Sequence, residues 1–408
     1  MSGLNFLNKL LDGVDVEWLS LGELGDFIRG NGLQKKDFVE SGFPAIHYGQ
    51  IYTRYGLSAD KTFTYVLPEL ANKLRKAQKN DLLLATTSEN DEDVVKPLAW
   101  LGDNVAISGD MMLFRHEQNV KYLAYFFQSE IFQTQKMKYI TGAKVRRVSS
   151  GDLSKIKIPI PCSNNPEKSL AIQSEIVRIL DKFTALTAEL TAELNMRKKQ
   201  YNYYRDQLLS FKDGEVEWKT LGEVAQYSKT RISFELLDER NYVGVDNLLQ
   251  NRAGKSLSNH VPTSGKLTEF IPNDILIGNI RPYLKKIWQA DCIGGTNGDV
   301  LVIRCIDSSI NTRYLYQILA DDKFFEYNMQ HAKGAKMPRG SKEDIMKYPI
   351  PVPPLTLQAR IVEILNKFDT LTNSITEGLP REIELRQKQY EYYRDLLFSF
   401  PKPETASN

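Results

Sequence analysis

Two short loops carry the residues best suited to chemistry in this sequence, and both contain Gly-Ala-Lys. Arginine can bind guanine through two hydrogen bonds or clamp a phosphate, and lysine can hold a phosphate. A single basic loop is usually only a solvated surface, but its duplication favours two similar surfaces that contact nucleic acid. The basic residues are Lys144, Arg146 and Arg147 in the first loop, and Lys333, Lys336 and Arg339 in the second.

A second set of polar residues follows a short apolar segment in each half of the chain. After NDILIG the sequence places Asn279, Arg281, Tyr283 and Lys285; after NDLLLA it places Thr86, Thr87 and Ser88. Asparagine, arginine and tyrosine suit base edges and phosphates, whereas the first set has hydrogen-bonding groups without positive charge. If the two sets are equivalent, we expect the two halves of the chain to read different sequences.

The patterns of catalytic and metal-binding proteins are missing from this sequence. Gly254–Lys255–Ser256 lacks the earlier glycine of a phosphate-binding loop, because position 249 is leucine. The 3 cysteines and 4 histidines are scattered, which argues against a zinc site or a disulfide framework. The acidic run Glu89–Asp93 is typical of a solvated loop rather than a metal site. We therefore predict no catalytic residue, no metal and no cofactor in this chain.

The composition is that of a globular protein rather than an indiscriminate polyanion binder. Hydrophobic residues make up 42% of the 408 residues and charged residues 25%, with a net charge of only +2. Any binding of nucleic acid must therefore come from local patches. There is no apolar run of membrane-spanning length and no secretory pattern at the N-terminus, so we expect a cytoplasmic protein with no membrane partner.

One of these loops precedes the first of two long repeated segments that are predicted to be helical, and the other lies between them. Ile176–Thr187 matches Ile361–Thr372 at 8 of 12 positions, and Arg197–Phe211 matches Arg386–Phe400 at 11 of 15. The regions before each repeat follow one plan of short strands, a helix, a Gly-Ala-Lys loop and a closing strand, with much lower identity. The phrase VEW followed by LGE opens both regions, at Trp18 and Trp218.

The repeat predicts the domain boundaries. Residues 1–15 correspond to the helix end that precedes the second region, so we expect this segment to pack near the C-terminal helix. The remaining predicted boundaries are 16–165 and 212–355 for two mixed α/β regions, 166–211 and 356–400 for the helical regions, and 401–408 for a tail.

Apolar residues in both helical repeats recur in steps of four and three, which is the pattern of a coiled-coil seam. Two matched stripes in one chain favour a mutual pair of helices, either parallel or antiparallel. The seam residues are Ile172, Ile176, Ile179, Phe183, Leu186 and Leu190 in the first helix, and Leu357, Ile361, Ile364, Phe368, Leu371 and Ile375 in the second.

The two helices are not predicted to be identical in shape. The first contains TAEL twice, at Thr187–Leu194, and each copy adds about 6 Å of helix at 1.5 Å per residue. The second lacks this tandem and has Gly378–Leu379–Pro380, which should kink or break it.

This order of diverged region, repeated helix, diverged region and repeated helix resembles the specificity subunit of type I restriction–modification systems. The resemblance covers the whole chain and is strongest in the helices and in the phrases at Trp18 and Trp218. The tandem TAEL and the tail LFSFPKPE, at Leu397–Glu404, are similar to the type IC group. The resemblance implies an α+β fold with two target-recognition domains, an antiparallel coiled coil of two long conserved helices, and a circular pseudo-twofold arrangement.

The resemblance also implies partners and a division of labour. Each recognition domain would read half of a bipartite target in double-stranded DNA, while the helices set the spacer and dock two modification subunits. Those subunits would bind S-adenosylmethionine and methylate adenine, and up to two restriction subunits would use ATP and Mg. The alternative is a coiled-coil scaffold that assembles partners without reading DNA, to which the charge of Lys144 and Arg147 should not matter.

Overall fold

The computed structural model describes residues 11, 13–212, 214–374 and 376–400. The chain divides into two compact units, Met1–Leu186 with Arg386–Asn408, and Thr187–Leu385. Each unit therefore combines one mixed α/β region with parts of both helical repeats. The domain boundaries expected from the sequence, which separate regions from helices, stay a prediction.

The first unit contains a complete α/β region that ends at the start of a long helix. Its strands are β1 (Val16–Ser20), β2 (Gly25–Arg29), β3 (Phe43–Ile46), β4 (Ser58–Ala59), β5 (Thr64–Val66), β6 (Lys76–Ala77), β7 (Leu82–Ala85), β8 (Thr87–Ser88), β9 (Lys96–Trp100), β10 (Val105–Ile107), β11 (Met111–His116), β12 (Arg146–Arg147) and β13 (Lys157–Pro161). Its helices are α1 (Leu21–Leu24), α2 (Tyr48–Thr53), α3 (Pro68–Ala71), α4 (Val120–Gln128), α5 (Glu130–Met137), α6 (Ser150–Leu153) and the first part of α7 (Pro166–Leu208), with a 3-10 turn at Lys35–Asp37.

The second unit repeats this plan after α7. Its strands are β14 (Glu217–Thr220), β15 (Ala225–Tyr227), β16 (Arg231–Ser233), β17 (Tyr242–Val243), β18 (Lys266–Phe270), β19 (Ile275–Gly278), β20 (Ile287–Gln289), β21 (Gly294–Thr296), β22 (Val300–Cys305) and β23 (Pro349–Val352). Its helices are α8 (Leu221–Val224), α9 (Thr312–Leu319), α10 (Asp322–Gln330), α11 (Lys342–Ile345), α12 (Leu355–Asn373) and the first part of α13 (Gly378–Phe398), with 3-10 turns at Phe234–Leu236 and Pro282–Leu284.

Each unit is built on two main sheets. In the first unit the strand orders are β2-β11-β7-β9-β4 and β5-β3-β10-β6; in the second they are β15-β22-β19-β20 and β16-β18-β21-β17. The predicted strands NDLLLA and NDILIG are the buried β7 and β19, each antiparallel to a longer strand, β11 or β22. Asn80 and Asn273 have φ values of 70° and 75° just before them, a conformation that asparagine tolerates.

The phrases at Trp18 and Trp218 form the same local structure in both units. β1 pairs with β13 and β14 pairs with β23, both antiparallel, so that the opening and closing strands of each region lie side by side. A capping box follows each phrase: the backbone N–H of Ser20 donates to Glu23 at 2.7 Å, and that of Thr220 donates to Glu223 at 2.6 Å. The LGE sequence thus starts a short helix that turns the chain into the main sheet.

The single helices expected after β11 and β22 are each divided into two. α4 ends where Ser129 caps α5, and α9 ends shortly before Asp321 caps α10. Serine and aspartate suit the N-cap because their side chains accept backbone N–H groups. The apolar spacing of these segments is compatible with one helix and does not show the N-cap at which each is divided.

The long helix α7 contains 43 residues and is continuous through the tandem TAEL, which gives it a length of about 65 Å. Asn165 caps it, accepting the backbone N–H of Lys168 at 3.1 Å. The second repeat is broken as expected: α12 ends at Asn373 and α13 begins at Gly378, whose φ is 78°. A side chain at Gly378 would lie 2.4 Å from the carbonyl oxygen of Thr370, so this break favours glycine.

The predicted seam is only partly a helix–helix seam. Ile172 and Ile176 belong to the apolar core of the first unit together with α4, and Ile361 belongs to that of the second unit together with α9. Leu186 and Leu357 are exposed, so the stripe is not continuously buried. The reason is that the first turns of α7 and α12 pack on the α/β regions, which a spacing of apolar residues cannot distinguish from a second helix.

The remaining predicted seam residues have mixed surroundings. Phe183 and Phe368 contact the other repeated helix of their own units. Phe183 stacks on Tyr393 at 5.2 Å between ring centroids, and Phe368 stacks on Tyr204 at 5.4 Å. Partly buried side chains are Ile179, Leu190, Ile364 and Leu371. Ile375 lies outside the described residues, as do residues 1–10, residue 12 and the tail 401–408.

In both units the first part of one long helix packs with the last part of the other, which is the pairing that an antiparallel arrangement produces. Leu11, in the described part of the N-terminal segment, belongs to the same apolar cluster as Leu397, Phe398 and Phe400. The predicted fold class, two mixed α/β regions with long repeated helices, is confirmed.

Candidate nucleic-acid interface

The two sets of polar residues in the first unit lie next to each other. β8 and β12 form a two-stranded antiparallel ladder in which Ser88 is opposite Arg146 and Thr87 is opposite Arg147. A further bridge joins Arg147 to Thr141 across the Gly-Ala-Lys turn. We call residues 86–88 and 141–147 the first ledge. Residues more than fifty positions apart thus form one strip at the end of β7.

The second unit has the same arrangement at the end of β19. Isolated bridges connect Arg339 to Ile280 and to Lys333. The backbone N–H of Arg281 donates to the carbonyl oxygen of Pro338 at 2.7 Å. We call residues 279–285 and 333–339 the second ledge. The positions are equivalent to those of the first ledge because both follow the same buried strand and the same Gly-Ala-Lys turn.

The exposed face of the ledges is basic. Lys144 and Arg147 are exposed on the first ledge, where Arg146 is partly covered. On the second ledge the exposed predicted residues are Arg281, Tyr283, Lys336 and Arg339, whereas Lys285 is partly covered by an ion pair with Asp322 at 2.7 Å. Cationic side chains on a turn are well placed to contact phosphates and base edges.

Three residues predicted to contact a ligand are buried instead. Thr86, Thr87 and Asn279 are 5%, 7% and 6% exposed, and the hydroxyl of Thr86 donates to the carbonyl oxygen of Asp110 at 3.0 Å. The side-chain nitrogen of Asn279 donates to the carbonyl oxygen of Gly340 at 3.2 Å. Their side chains therefore support the ledges from beneath. The partly exposed Ser88 is at the edge of the first ledge.

The backbone of the second ledge is held in an unusual conformation. Arg281 and Lys285 have φ values of 52° on either side of the 3-10 turn Pro282–Leu284. Residues other than glycine rarely adopt this left-handed conformation, and such strain clusters at functional sites. The turn projects Tyr283, which is 49% exposed, beside Arg281.

A buried lysine that sequence reasoning missed supports the first ledge. Lys136 on α5 is completely buried, and its ammonium group donates to the carbonyl oxygens of Glu92 at 2.9 Å and Val94 at 3.0 Å. Burial lowers its pKa to about 8. The two bonds fix the loop that follows Ser88. In the sequence, Lys136 is only a lysine on the apolar face of a predicted helix. The same pattern is found for lysines whose ammonium group reaches solvent, so it does not identify a buried lysine.

Two buried glutamines, also missed, attach the long helices to the α/β regions. The side-chain oxygen of Gln173 on α7 accepts the backbone N–H of Asn119 at 3.0 Å, and that of Gln358 on α12 accepts the backbone N–H of Asn311 at 2.8 Å. Both asparagines cap the following helix, α4 or α9. The two regions are therefore held on their helices by the same pair of contacts.

Within the described part of the chain, no group of three or more His, Cys, Asp or Glu side chains could hold a metal ion. None of the helices described is long and apolar enough to cross a membrane.

Comparison with known proteins matches both halves of the chain to one family. The family model of the type I restriction modification DNA specificity domain matches residues 13–197 and again residues 214–385. The specificity subunit of the type I restriction enzymes EcoR124I and EcoR124II from Escherichia coli is 43% identical over 423 residues, covering 100% of both chains. That of EcoprrI from Escherichia coli is 32% identical over 411 residues, covering 92% of this chain and 93% of the relative.

A solved structure supports the fold. The S subunit of a type I restriction–modification system from M. genitalium superposes with a TM-score of 0.56 at 15% identity, covering 96% of this chain and 98% of the other. At this identity the likeness concerns the fold alone. Because the family model and the full-length relatives agree, this chain belongs to the type I restriction–modification specificity subunits, non-catalytic proteins with a role in sequence-specific DNA recognition.

Proposed function

We propose that each unit reads one half of a bipartite DNA target with its ledge. The first unit uses Lys144, Arg146 and Arg147, with Ser88 at the edge. The second uses Arg281, Tyr283, Lys336 and Arg339, with Lys285 beside them. The observation that carries this proposal is the pairing of two separate polar segments into one exposed basic strip at the same place in both units.

The side chains of the two ledges differ although their backbones correspond. Arg146 of the first ledge matches Pro338 of the second. Ser88 of the first ledge matches Arg281 of the second, whose backbone is in the left-handed conformation. Base edges are read by the donors and acceptors of individual side chains. The two ledges therefore read different half-sites.

The long helices serve as the ruler and the docking surface in this proposal. Tyr203 and Tyr392 occupy equivalent positions near the ends of α7 and α13 and are 60% and 61% exposed. Large exposed aromatic side chains repeated at equivalent places suit two copies of one partner. We assign them to two modification subunits, which would bring S-adenosylmethionine and methylate adenine.

The remaining partners follow the same division of labour. Up to two restriction subunits would bring ATP and Mg, so that all cofactors belong to the partners. The base to be methylated must leave the DNA stack, and the pocket that receives it would lie in the modification subunit. The assembly would act in the cytoplasm, where the bacterial chromosome is accessible to it.

Single-molecule sequencing of methylated genomic DNA tests the proposal in a strain that carries this chain with its modification partner. We expect a bipartite methylated motif, and charge reversal at Lys144 and Arg147 should abolish or alter its first half. An unchanged motif in the charge-reversed strain would instead favour a scaffold that assembles partners without reading DNA.

A further inference from the structure

Each ledge contains one arginine that a carboxylate of the same unit already holds. In the first unit Arg146 Nε lies 2.8 Å from Asp91 Oδ1, and Arg146 Nη1 donates to the carbonyl oxygen of Gly142 at 2.6 Å. In the second unit Arg339 Nη2 donates to Asp299 Oδ1 at 3.1 Å. One arginine of each ledge is therefore partly neutralised before DNA arrives.

These pairs are not inherited from the repeat. Arg339 matches Arg147 rather than Arg146, and Asp299 matches Asp110 of the first unit, which lies 3.9 Å from Arg29 instead. Asp91 belongs to the loop after Ser88, and Asp299 precedes β22. The two units have thus reached the same pairing of ledge arginine and carboxylate through different residues.

Stability is a poor explanation for either pair. Arg339 and Asp299 have side chains 57% and 40% exposed, and exposed ion pairs of this kind stabilise proteins little. Arg146 and Asp91 have side chains 34% and 35% exposed, so water also screens this pair and its contribution to stability is small. Both carboxylates, Asp91 and Asp299, reduce the positive charge on the exposed surface of their ledge.

We propose that Asp91 and Asp299 are specificity-determining residues that act by competing with DNA phosphates for Arg146 and Arg339. On an unrelated duplex the ledge makes few contacts, and the carboxylates keep these two arginines. On the correct half-site the other ledge contacts bring a phosphate or base close enough to displace the carboxylate. The inference rests on the proposed reading function of the ledges and adds the residues that restrain non-specific binding.

The expected size follows from counterion release. One additional phosphate contact steepens the dependence of log K on log[salt] by about 0.9, which corresponds to roughly eightfold tighter binding at 0.1 M salt. Because the chain has a net charge of only +2, its affinity for random DNA depends on local groups of this kind.

The experiment uses the full-length chain in complex with its modification partner and a fluorescent 30-base-pair duplex of random sequence. Anisotropy titrations between 50 and 200 mM NaCl give the affinity and its salt slope for D91N, D299N and the double variant. The matched control is E92Q, which removes the neighbouring carboxylate, for which the structure describes no ion pair. Each aspartate variant is also measured with R146A or R339A, and thermal melting verifies that the variants are folded.

We expect D91N and D299N each to tighten random-duplex binding about five- to tenfold and to steepen the salt slope by about one, well beyond E92Q. The gain should vanish when the paired arginine is alanine. Gains equal to that of E92Q, or gains that persist without the arginine, would overturn the inference. R146A and R339A alone are also measured on a duplex that carries the bipartite methylated motif, and if both leave the affinity for that duplex unchanged, the proposed reading function itself fails, which separates the two outcomes.

Discussion

Arg281 offers the sharpest test of the proposal that the second ledge reads DNA. Its side chain is exposed and has no ion pair in the described structure, while its backbone N–H donates to Pro338 and its φ is 52°. R281A removes the guanidinium group but retains the backbone bond that joins the two segments of the ledge. The left-handed conformation is equally unfavourable for alanine and arginine, so the turn should persist.

The size of the effect depends on what the guanidinium touches. A two-hydrogen-bond contact with a guanine is worth about 1–3 kcal/mol, which is roughly a 5- to 150-fold loss of affinity for the correct half-site. Because that contact reads a base, its loss should relax selectivity at one position. A phosphate contact would instead weaken all duplexes by about eightfold at 0.1 M salt and flatten the salt slope by about 0.9.

The assay first identifies the bipartite motif by sequencing methylated DNA, and then titrates duplexes in which one half-site at a time is scrambled. R147A is the matched control, because Arg147 is the exposed arginine of the first ledge. We expect R281A to affect one half-site and R147A the other. Equal losses at both half-sites for each variant would refute separate reading by the two ledges.

Three further predictions concern the frame. Deleting Thr191–Leu194 shortens α7 by about 6 Å, so methylation mapping should show unchanged half-sites with a spacer shorter by one to two base pairs; altered half-sites would contradict this. Asp81 and Asp274 are buried carboxylates paired with arginines at 2.7 Å. D81A and D274A should each destabilise only their own unit, by about 2–4 kcal/mol, and hydrogen exchange measured separately for each unit checks this. Burial lowers the pKa of Lys136 to about 8, so between about pH 8 and 10 the unfolded chain binds more protons than the folded chain. The stability of the first unit should therefore rise with pH in this range. K136M should abolish that rise in melting experiments.

The sequence predicted the repeated plan well because the evidence for it was local. Apolar runs after Asn-Asp predicted β7 and β19, and the Gly-Leu-Pro sequence predicted the break before α13. The pairing of β8 with β12 could not be predicted, because two-residue strands have no pattern of their own and their partners are far apart in sequence.

The seam shows a different limit. The apolar steps indicate the buried side of each helix but not what covers it. They predict a helix partner for Ile176 and Ile361, which instead belong to the α/β cores. The tyrosines that make the helix–helix contacts were missed because Tyr204 and Tyr393 are partly polar and about 40% exposed. A polar-tipped aromatic side chain can pack at such an edge while its hydroxyl remains in water.

The two units share the contacts that hold their helices and differ in the side chains of their ledges. Their frame contacts are the same: Phe183 on Tyr393 corresponds to Phe368 on Tyr204, and each long helix is fixed by a buried glutamine. Their ledges share a backbone path but differ in every charged pair. Since the frame contacts do not involve ledge side chains, a ledge can change without loss of the fold. Selection for new DNA targets should therefore alter residues such as Arg146 and Arg281, and the carboxylates that restrain them, while the helices retain the surface that a partner must recognise twice.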